Sequence, residues 1–349
     1  SGYNLWDLDK FTTGGGSEDD ILDPAWNNLY AGIGRCNTVL TYIQDADDFD
    51  KKNQYVAEAK FLRAFYYFNL VKYWGNIPLV TTKAESMQSA FENNKQVSPE
   101  VVYAQILKDL NEAKNDLPLS HPASSRGRVT QGAVRMLLAD VLMFTGKYGE
   151  ATAELQQIVG SGQYSLVSDY SKLFGVAYEN NAEFIFDVQN IEGASYGQSS
   201  YYMYRFVPWN IGQASTKVYG FPFNIVGSGS NGMNIPTEDL IRSFEKGDVR
   251  LNLIDTTFVD LERPVFKNSI VPFTLKFVDY AHAREGQTGV NFPLYRYPHV
   301  LLSLAECYLR VGGGDPLPFI NQVRERAQLE PLTTVTLDDI IHERRVEFN

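Results

Sequence analysis

The stretch AEAKFLRAFYYFNLVKYWGNIPLV, residues 57–80, constrains this chain more than any other. Ala57, Phe61, Ala64, Phe65, Phe68 and Val71 recur at the three-to-four spacing of one helix face. Leu62, Tyr66, Leu70 and Tyr73 add a second stripe, so the helix is apolar on most sides. Its few charges are Glu58, Lys60, Arg63 and Lys72. A helix of this kind must be clamped between other helices instead of lying on a surface. It stops at Gly75-Asn76-Ile77-Pro78, where glycine ends a helix and proline cannot continue one.

The surrounding text supplies the clamps. Trp26, Leu29, Tyr30, Ile33, Cys36, Asn37 and Leu40 predict a helix over 24–43, paired with one over 52–74. Residues 85–98 are polar and aperiodic and read as a linker. Ser98-Pro99-Glu100 opens a helix to 117, with Ser98 as cap and Pro99 in the first position, and Thr130 caps the next. There LLADVLMFTGKYGEATAELQQIV carries Ala139, Leu142, Gly146, Tyr148, Ala151 and Leu155, the order of a tetratricopeptide helical hairpin. A second copy stands at Ala305, Tyr308 and Gly312, with its returning helix over 316–328. One hairpin cannot bury its own apolar face, so several must stack. The expected fold is mainly α, a tetratricopeptide-like solenoid of about four helix pairs.

Between the last pairs the pattern changes. EFIFDVQ, residues 183–189, alternates like a strand. Residues 190–234 hold too many Gly, Ser and Asn for a helix and too many rings for a plain linker. Residues 256–280 read as two or three short strands broken at Pro264 and Pro272. Within one domain, the expected division is a helical scaffold over 24–175, a loop-rich, partly β insertion over 176–290, and a last helix pair over 291–349.

Composition removes several functions. The 349-residue chain has a net charge of −11, which repels polyanions and argues against nucleic acid as a partner. Cys36 and Cys307 fall in helices and read as small buried hydrophobes, not as a disulfide. No run approaches the ~18 apolar residues that a bilayer span needs. His121, His282, His299 and His342 lack the spacing of metal ligands, and no nucleophile elbow or phosphate loop is present. The run Asp45, Asp47, Asp48, Asp50 has Lys51 where a calcium loop carries glycine, so it reads as a solvated helix end. No cofactor, metal or catalytic residue is expected. A glycosidase acid pair stays open at this point, because separation in space defines it.

Aromatic rings are the stronger candidates. Tyr196, Tyr201, Tyr202, Tyr204, Phe206 and Trp209 fall within fifteen residues, mixed with Gln198, Arg205, Asn210 and Gln213. Sugars present apolar C–H faces and polar rims, so their sites need flat rings edged by amides and charges. The competing reading is that these rings pin a long loop to the scaffold, and Trp6 in YNLWDL divides the same way.

The 57–80 helix and turn, GRVTQGAVRMLLADVLMFTGKYGEA, IPTEDLIRSFEKGDVRL, YRYPHVLLSLAECYLR, and INQVRERA followed by IIHERRVEF stand in one order along the chain. Together they resemble the SusD/RagB-like family of nutrient-binding lipoproteins from the outer membrane of Bacteroidetes. The resemblance implies a tetratricopeptide-type scaffold docked on a SusC-like TonB-dependent transporter, with irregular insertions holding a glycan at the cell surface without cleaving it. In starch-binding members the aromatic arc comes from regions that correspond here to residues 6–17 and 196–234. Gly14-Gly15-Gly16 stands where those members have tryptophans, so another glycan or a peptide fits as well as starch. The ligand residues expected are Trp209, Tyr204, Tyr202, Tyr201, Tyr196, Asn210, Arg205, Asn234 and Trp6. The resemblance also implies a lipid anchor outside this sequence. A rival in another class is a tetratricopeptide-like adaptor that binds protein alone.

Overall fold

The structure is a computed structural model that describes residues 22–92, 94–193, 199–208, 232–260, 268–280 and 288–349. The chain divides into two compact units, Ser1–Ser120 with Arg128–Lys147, and His121–Gly127 with Tyr148–Asn349.

The first unit holds α1 (Leu22–Asp45), α2 (Lys52–Trp74), α3 (Pro99–Ala113) and α4 (Gln131–Phe144). α2 packs against α1, α3 and α4, which is the clamping its sequence demands. Phe61, Ala64, Tyr67 and Leu70 are fully buried, while Tyr73 in the last turn emerges into solvent. α1 comes close at Gly32, where a Cβ would stand 2.5 Å from the Tyr66 ring. The buried charge of α2 is fully occupied. Arg63 Nε and Nη2 hold the Asp109 carboxylate of α3 at 2.8 and 2.7 Å, and Nη1 donates to Asn37 Oδ1 of α1 at 2.8 Å and to the Thr81 carbonyl at 2.9 Å.

Three local expectations change here. Residues 85–98 are not a plain linker, because β2 (Gln96–Val97) pairs antiparallel with β1 (Ile77–Pro78) and Met87–Glu92 forms a short helical turn. Ile77 is fully buried and gives β2 its partner, a distant pairing that local periodicity does not display. α3 ends at Ala113, short of 117, and Pro118 keeps residue 117 out of helical geometry. Ser98 occupies the cap position, yet its hydroxyl bonds the Glu100 carboxyl and pulls that group's pKa down, so no backbone amide is capped. Thr130 does cap, accepting from the Ala133 N–H at 3.3 Å.

The first long helix of the second unit is α5 (Tyr148–Gly160), after which the chain leaves the helical pattern. β3 (Phe184–Val188), α6 (Tyr202–Phe206), α7 (Glu238–Ser243), β4 (Ile254–Asp255), β5 (Val259–Asp260), β6 (Ser269–Ile270), β7 (Phe273–Thr274) and β8 (Phe292–Arg296) follow. Helices resume as α8 (Tyr297–Val311), α9 (Leu317–Arg326) and α10 (Leu337–Phe348), with α8 packed on α5, α9 and α10. β3 pairs antiparallel with β8, so the two ends of the insertion form one ladder. β4 pairs with β7 and β5 with β6, a nested arrangement. The 256–280 region is thus built of two-residue strands. Pro272 separates β6 from β7, and Pro264 lies outside the described residues.

Further backbone bonds join described parts of this unit. Gly232 N–H donates to the Val207 carbonyl at 3.0 Å and Met233 N–H to the Arg205 carbonyl at 2.7 Å. Ser200 and Thr288 exchange backbone bonds of 2.7 and 3.0 Å.

A buried ionic network holds the helices of this unit to the insertion. Glu347 of α10 accepts from Arg296 at 2.8 Å, Arg326 at 2.7 Å and Arg250 at 3.2 Å. Glu183 accepts from Arg296 at 2.8 Å and Arg326 at 2.9 Å, and Asp248 and Glu343 pair with Arg250. Burial pushes the Glu347 carboxyl upward, but the three arginines overcome it and hold the group at about 2. Cys36 and Cys307 are buried free thiols, each raised by burial to about 11. Among the described residues, no helix is long and apolar enough to cross a membrane.

Candidate ligand-binding surface

The site begins with the five-residue helix α6, YMYRF. Helical spacing puts Tyr202 and Phe206 on one side, their rings stacked at 6.2 Å and 13°. Met203 and Tyr204 turn the other way and join Val207, Phe258, Val271, Phe273 and Val278 in a hydrophobic core. Tyr204 is only 1% exposed, which corrects its assignment to the ligand set. A ring covered on both faces packs; it offers no platform. The breakers in 190–234 hid this short helix, and with it the split between its faces.

Two further rings complete the patch. Tyr202 lies 4.5 Å from Phe292 of β8 and 5.9 Å from Phe277, Phe206 lies 5.1 Å from Phe277, and Phe277 stacks on Phe292 at 5.5 Å and 12°. All four rings are half-buried, so each keeps some surface open. Tyr201, beside them in sequence, is 51% exposed. Phe277 and Phe292 escaped the sequence reading because they stand in strand-like segments about seventy residues or more from the tyrosine cluster, where rings read as core. Only the β3–β8 pairing and the fold of α6 bring them together.

Polar groups flank these rings in the chain. Asn291, next to Phe292, donates from Nδ2 to Asp187 at 3.2 Å and from its backbone to Glu179 at 2.6 Å, while its Oδ1 accepts from Asn190 N–H at 2.7 Å. Gln189 Nε2 donates to Asp187 at 2.7 Å. Burial raises the Glu179 carboxyl to about 7, with the charges of Asp187 and Asp279 adding to it against the Asn291 hydrogen bond. Burial also raises the Asp187 carboxyl and the Tyr202 phenol.

Arg205 is half-buried, with its carbonyl held by Met233, and Asn234 is exposed in the left-handed region at φ 53°. Tyr196, Trp209, Asn210 and Trp6 lie outside the described residues. Trp209 follows two residues after the buried, tethered Val207. Among the described residues, no group of three or more His, Cys, Asp or Glu side chains is placed to hold a metal ion.

Fold and patch together define a class: a tetratricopeptide-like helical protein whose long insertion presents aromatic rings. A family model described as "Starch-binding associating with outer membrane" matches residues 3–143, and the SusD family model matches residues 251–349. The chain belongs to the SusD/RagB-like family. A SusD-like protein from Bacteroides ovatus is 27% identical, over 99% of this chain and 67% of its own length. SusD-like protein P25 from Formosa agariphila is 23% identical, over 88% of this chain and 62% of its own length. The chain therefore spans about two-thirds of the length of these curated relatives. Among solved structures, a SusD superfamily protein from Parabacteroides distasonis has a TM-score of 0.80 at 27% identity, covering 99% of this chain and 76% of that one. Surface glycan-binding protein A from Bacteroides thetaiotaomicron in complex with laminarihexaose has a TM-score of 0.77 at 26% identity, covering 93% and 73%. A laminarin binding SusD-like protein has a TM-score of 0.78 at 27% identity, covering 93% and 74%.

Proposed function

We propose that this protein captures an oligo- or polysaccharide at the outer face of the outer membrane and passes it, uncleaved, to a SusC-like TonB-dependent transporter. The observation that carries the reading is the half-open patch of Tyr202, Phe206, Phe277 and Phe292 with exposed Tyr201 beside it in the chain. Rings of this kind stack on sugar C–H faces for on the order of 1 kcal/mol each beyond area burial. Arg205, Asn234, Asn210, Tyr196, Trp209 and Trp6 form the rest of the proposed ligand set, and Tyr204 supports it from the core.

The laminarihexaose complex and the laminarin binding relative support a neutral glucan as the ligand class. The family description supports membrane association, which for this chain would run through a lipid anchor. Non-catalytic action is supported by the two acids bonded to Asn291, the residue before Phe292. Asp187 is occupied by Gln189 and Asn291, and Glu179 by the Asn291 backbone, so neither is poised as a paired acid and base.

Calorimetry with laminarihexaose on the unaltered protein, Tyr202→Ala and Trp209→Ala, with a parallel reducing-end assay, tests the reading. Binding that either substitution weakens about tenfold or more, without release of reducing ends, is the expected result. Folded protein that binds no neutral glycan would move the assignment to a peptide ligand or an adaptor. Release of reducing ends would make it a hydrolase.

A further inference from the structure

A polar cleft of about 510 Å³ in the second unit shares no residue with the ring patch. Three chain segments build it. One is the turn at 168–171, where Asp169 Oδ1 accepts from Ser171 N–H at 3.1 Å. Another is the turn Val249–Leu253. The third is the end of α9, with Arg326 and Gln328, joined to the second by a Val249 N–H bond of 3.3 Å to the Ala327 carbonyl. Buried Tyr170 forms the floor with the Arg326 guanidinium 4.6 Å above its ring, and Ser168, Asn252 and Gln328 are exposed around it.

Three features mark this cleft. Gln328 sits at φ 62° in the cap that closes α9, its N–H on the Glu325 carbonyl and that of Leu329 on the Arg324 carbonyl, a left-handed position that glycine adopts freely and that costs a residue with a Cβ about 1 kcal/mol or more. The chain nevertheless keeps a long amide side chain there. The side chains of Ser168, Asn252 and Gln328 make no hydrogen bond among the described residues, so unused donors and acceptors converge on one concavity. Arg326 Nε is buried without an acceptor, although its two terminal nitrogens hold Glu183 at 2.9 Å and Glu347 at 2.7 Å.

Charge narrows the ligand. The Arg326 charge is already matched by two glutamates, and Asp169 at the rim disfavours an anion. A cation would meet only Asp169, which Lys172 engages at 3.0 Å. Tyr170 is 3% exposed, so no ring face is open for stacking. What fits is an uncharged molecule that both donates and accepts hydrogen bonds along its edge, of a size the cleft can take. We propose that this cleft is a second binding site, for a neutral polyhydroxylated molecule of one or two sugar rings, gripped by Ser168, Asn252 and Gln328. It stands whether or not the ring patch binds glycan.

The test uses the full chain carrying Tyr202→Ala and Trp209→Ala, which silences the patch, and reads D-glucose, D-galactose and D-mannose by saturation-transfer NMR. At least one sugar is expected to bind, with affinity falling about five- to tenfold on adding Gln328→Gly or Asn252→Ala, the loss of one or two uncharged hydrogen bonds. Gln328→Gly is also expected to raise the melting temperature by relieving the left-handed residue, so lost binding there cannot be lost folding. Absence of binding by all three sugars, affinity unchanged in both cleft variants, or equal competition by inorganic sulfate would each overturn the proposal. Failure of the polysaccharide reading shows separately, as laminarihexaose affinity unaltered by Tyr202→Ala and Trp209→Ala while the cleft is intact.

Discussion

Arg63 stands in the most apolar helix of the chain, and its burial is tolerable only because Asp109, Asn37 and Thr81 take every direction of its fork. Asp109→Ala leaves that guanidinium buried and unpaired, and urea unfolding is expected to show a loss of about 3–5 kcal/mol. Glu112→Ala removes the surface partner of Lys60 and is expected to change stability by less than about 1 kcal/mol. In sequence both residues read as helix charges; their difference is that the Asp109 pair is buried and the Glu112 pair meets solvent. Titration separates two other carboxyls. Glu347 is held at about 2, below its ordinary value near 4.5, so its contribution is present above pH ~4.5 and is lost as pH falls through about 2. Glu347→Gln is expected to flatten the acid limb of the stability curve and to cost several kcal/mol at neutral pH, because three arginines lose their shared partner. Glu179 runs the opposite way. Its raised value near 7 means the folded state holds the proton more tightly, so stability is gained as pH falls from about 7 towards 4.5. Glu179→Gln is expected to raise the melting temperature at pH ~8 and to remove that dependence, by on the order of 1 kcal/mol after allowance for solvent screening of a half-exposed group.

Elements were legible where one periodicity ran unbroken. α2 begins and ends where its stripes do, and Gly146 and Gly312 mark the ends of helices that the repeat pattern places. The insertion resisted because its described elements are two to six residues long, too short for any period to declare itself. The motifs that reveal the family explain the rest. GDVRL supplies Asp248 and Arg250, YRYP supplies Arg296, VRER supplies Arg324 and Arg326, and HERRVEF supplies Glu343 and Glu347, all to one buried network. Such motifs identify the fold because they build its core, and they carry no information about the ligand. α6 shows the same separation within five residues. Tyr204→Ala opens a cavity in a packed cluster and is expected to cost about 3–5 kcal/mol in urea unfolding. Tyr202→Ala, from the opposite side of the same helix, is expected to lower the melting temperature far less and to show its loss in calorimetry with laminarihexaose. Equal stability losses for the two would mean that both rings serve packing, and would remove Tyr202 from the site.

At the scale of the molecule, the chain's charge of −11 distinguishes among glycans that rings alone cannot tell apart. Stacking acts on C–H faces common to neutral glucans and to polyuronates, so the ring patch accepts either chemistry in principle. The field of the whole chain does not, because a polyanion approaches against net repulsion while a neutral chain feels none. Local contacts survive added salt; long-range repulsion is screened over about 8 Å at 0.15 M ionic strength. Calorimetry with laminarihexaose at about 0.02 and 0.3 M sodium chloride is therefore expected to return the same affinity at both, within twofold. An alginate oligomer of equal length is expected to bind at least tenfold more weakly at the lower salt and to recover part of that deficit at the higher. Tight alginate binding at low salt that weakens as salt is added would reverse the sign. It would place a locally basic groove at the site, with Arg205 its first candidate, and the ligand would then be an acidic glycan.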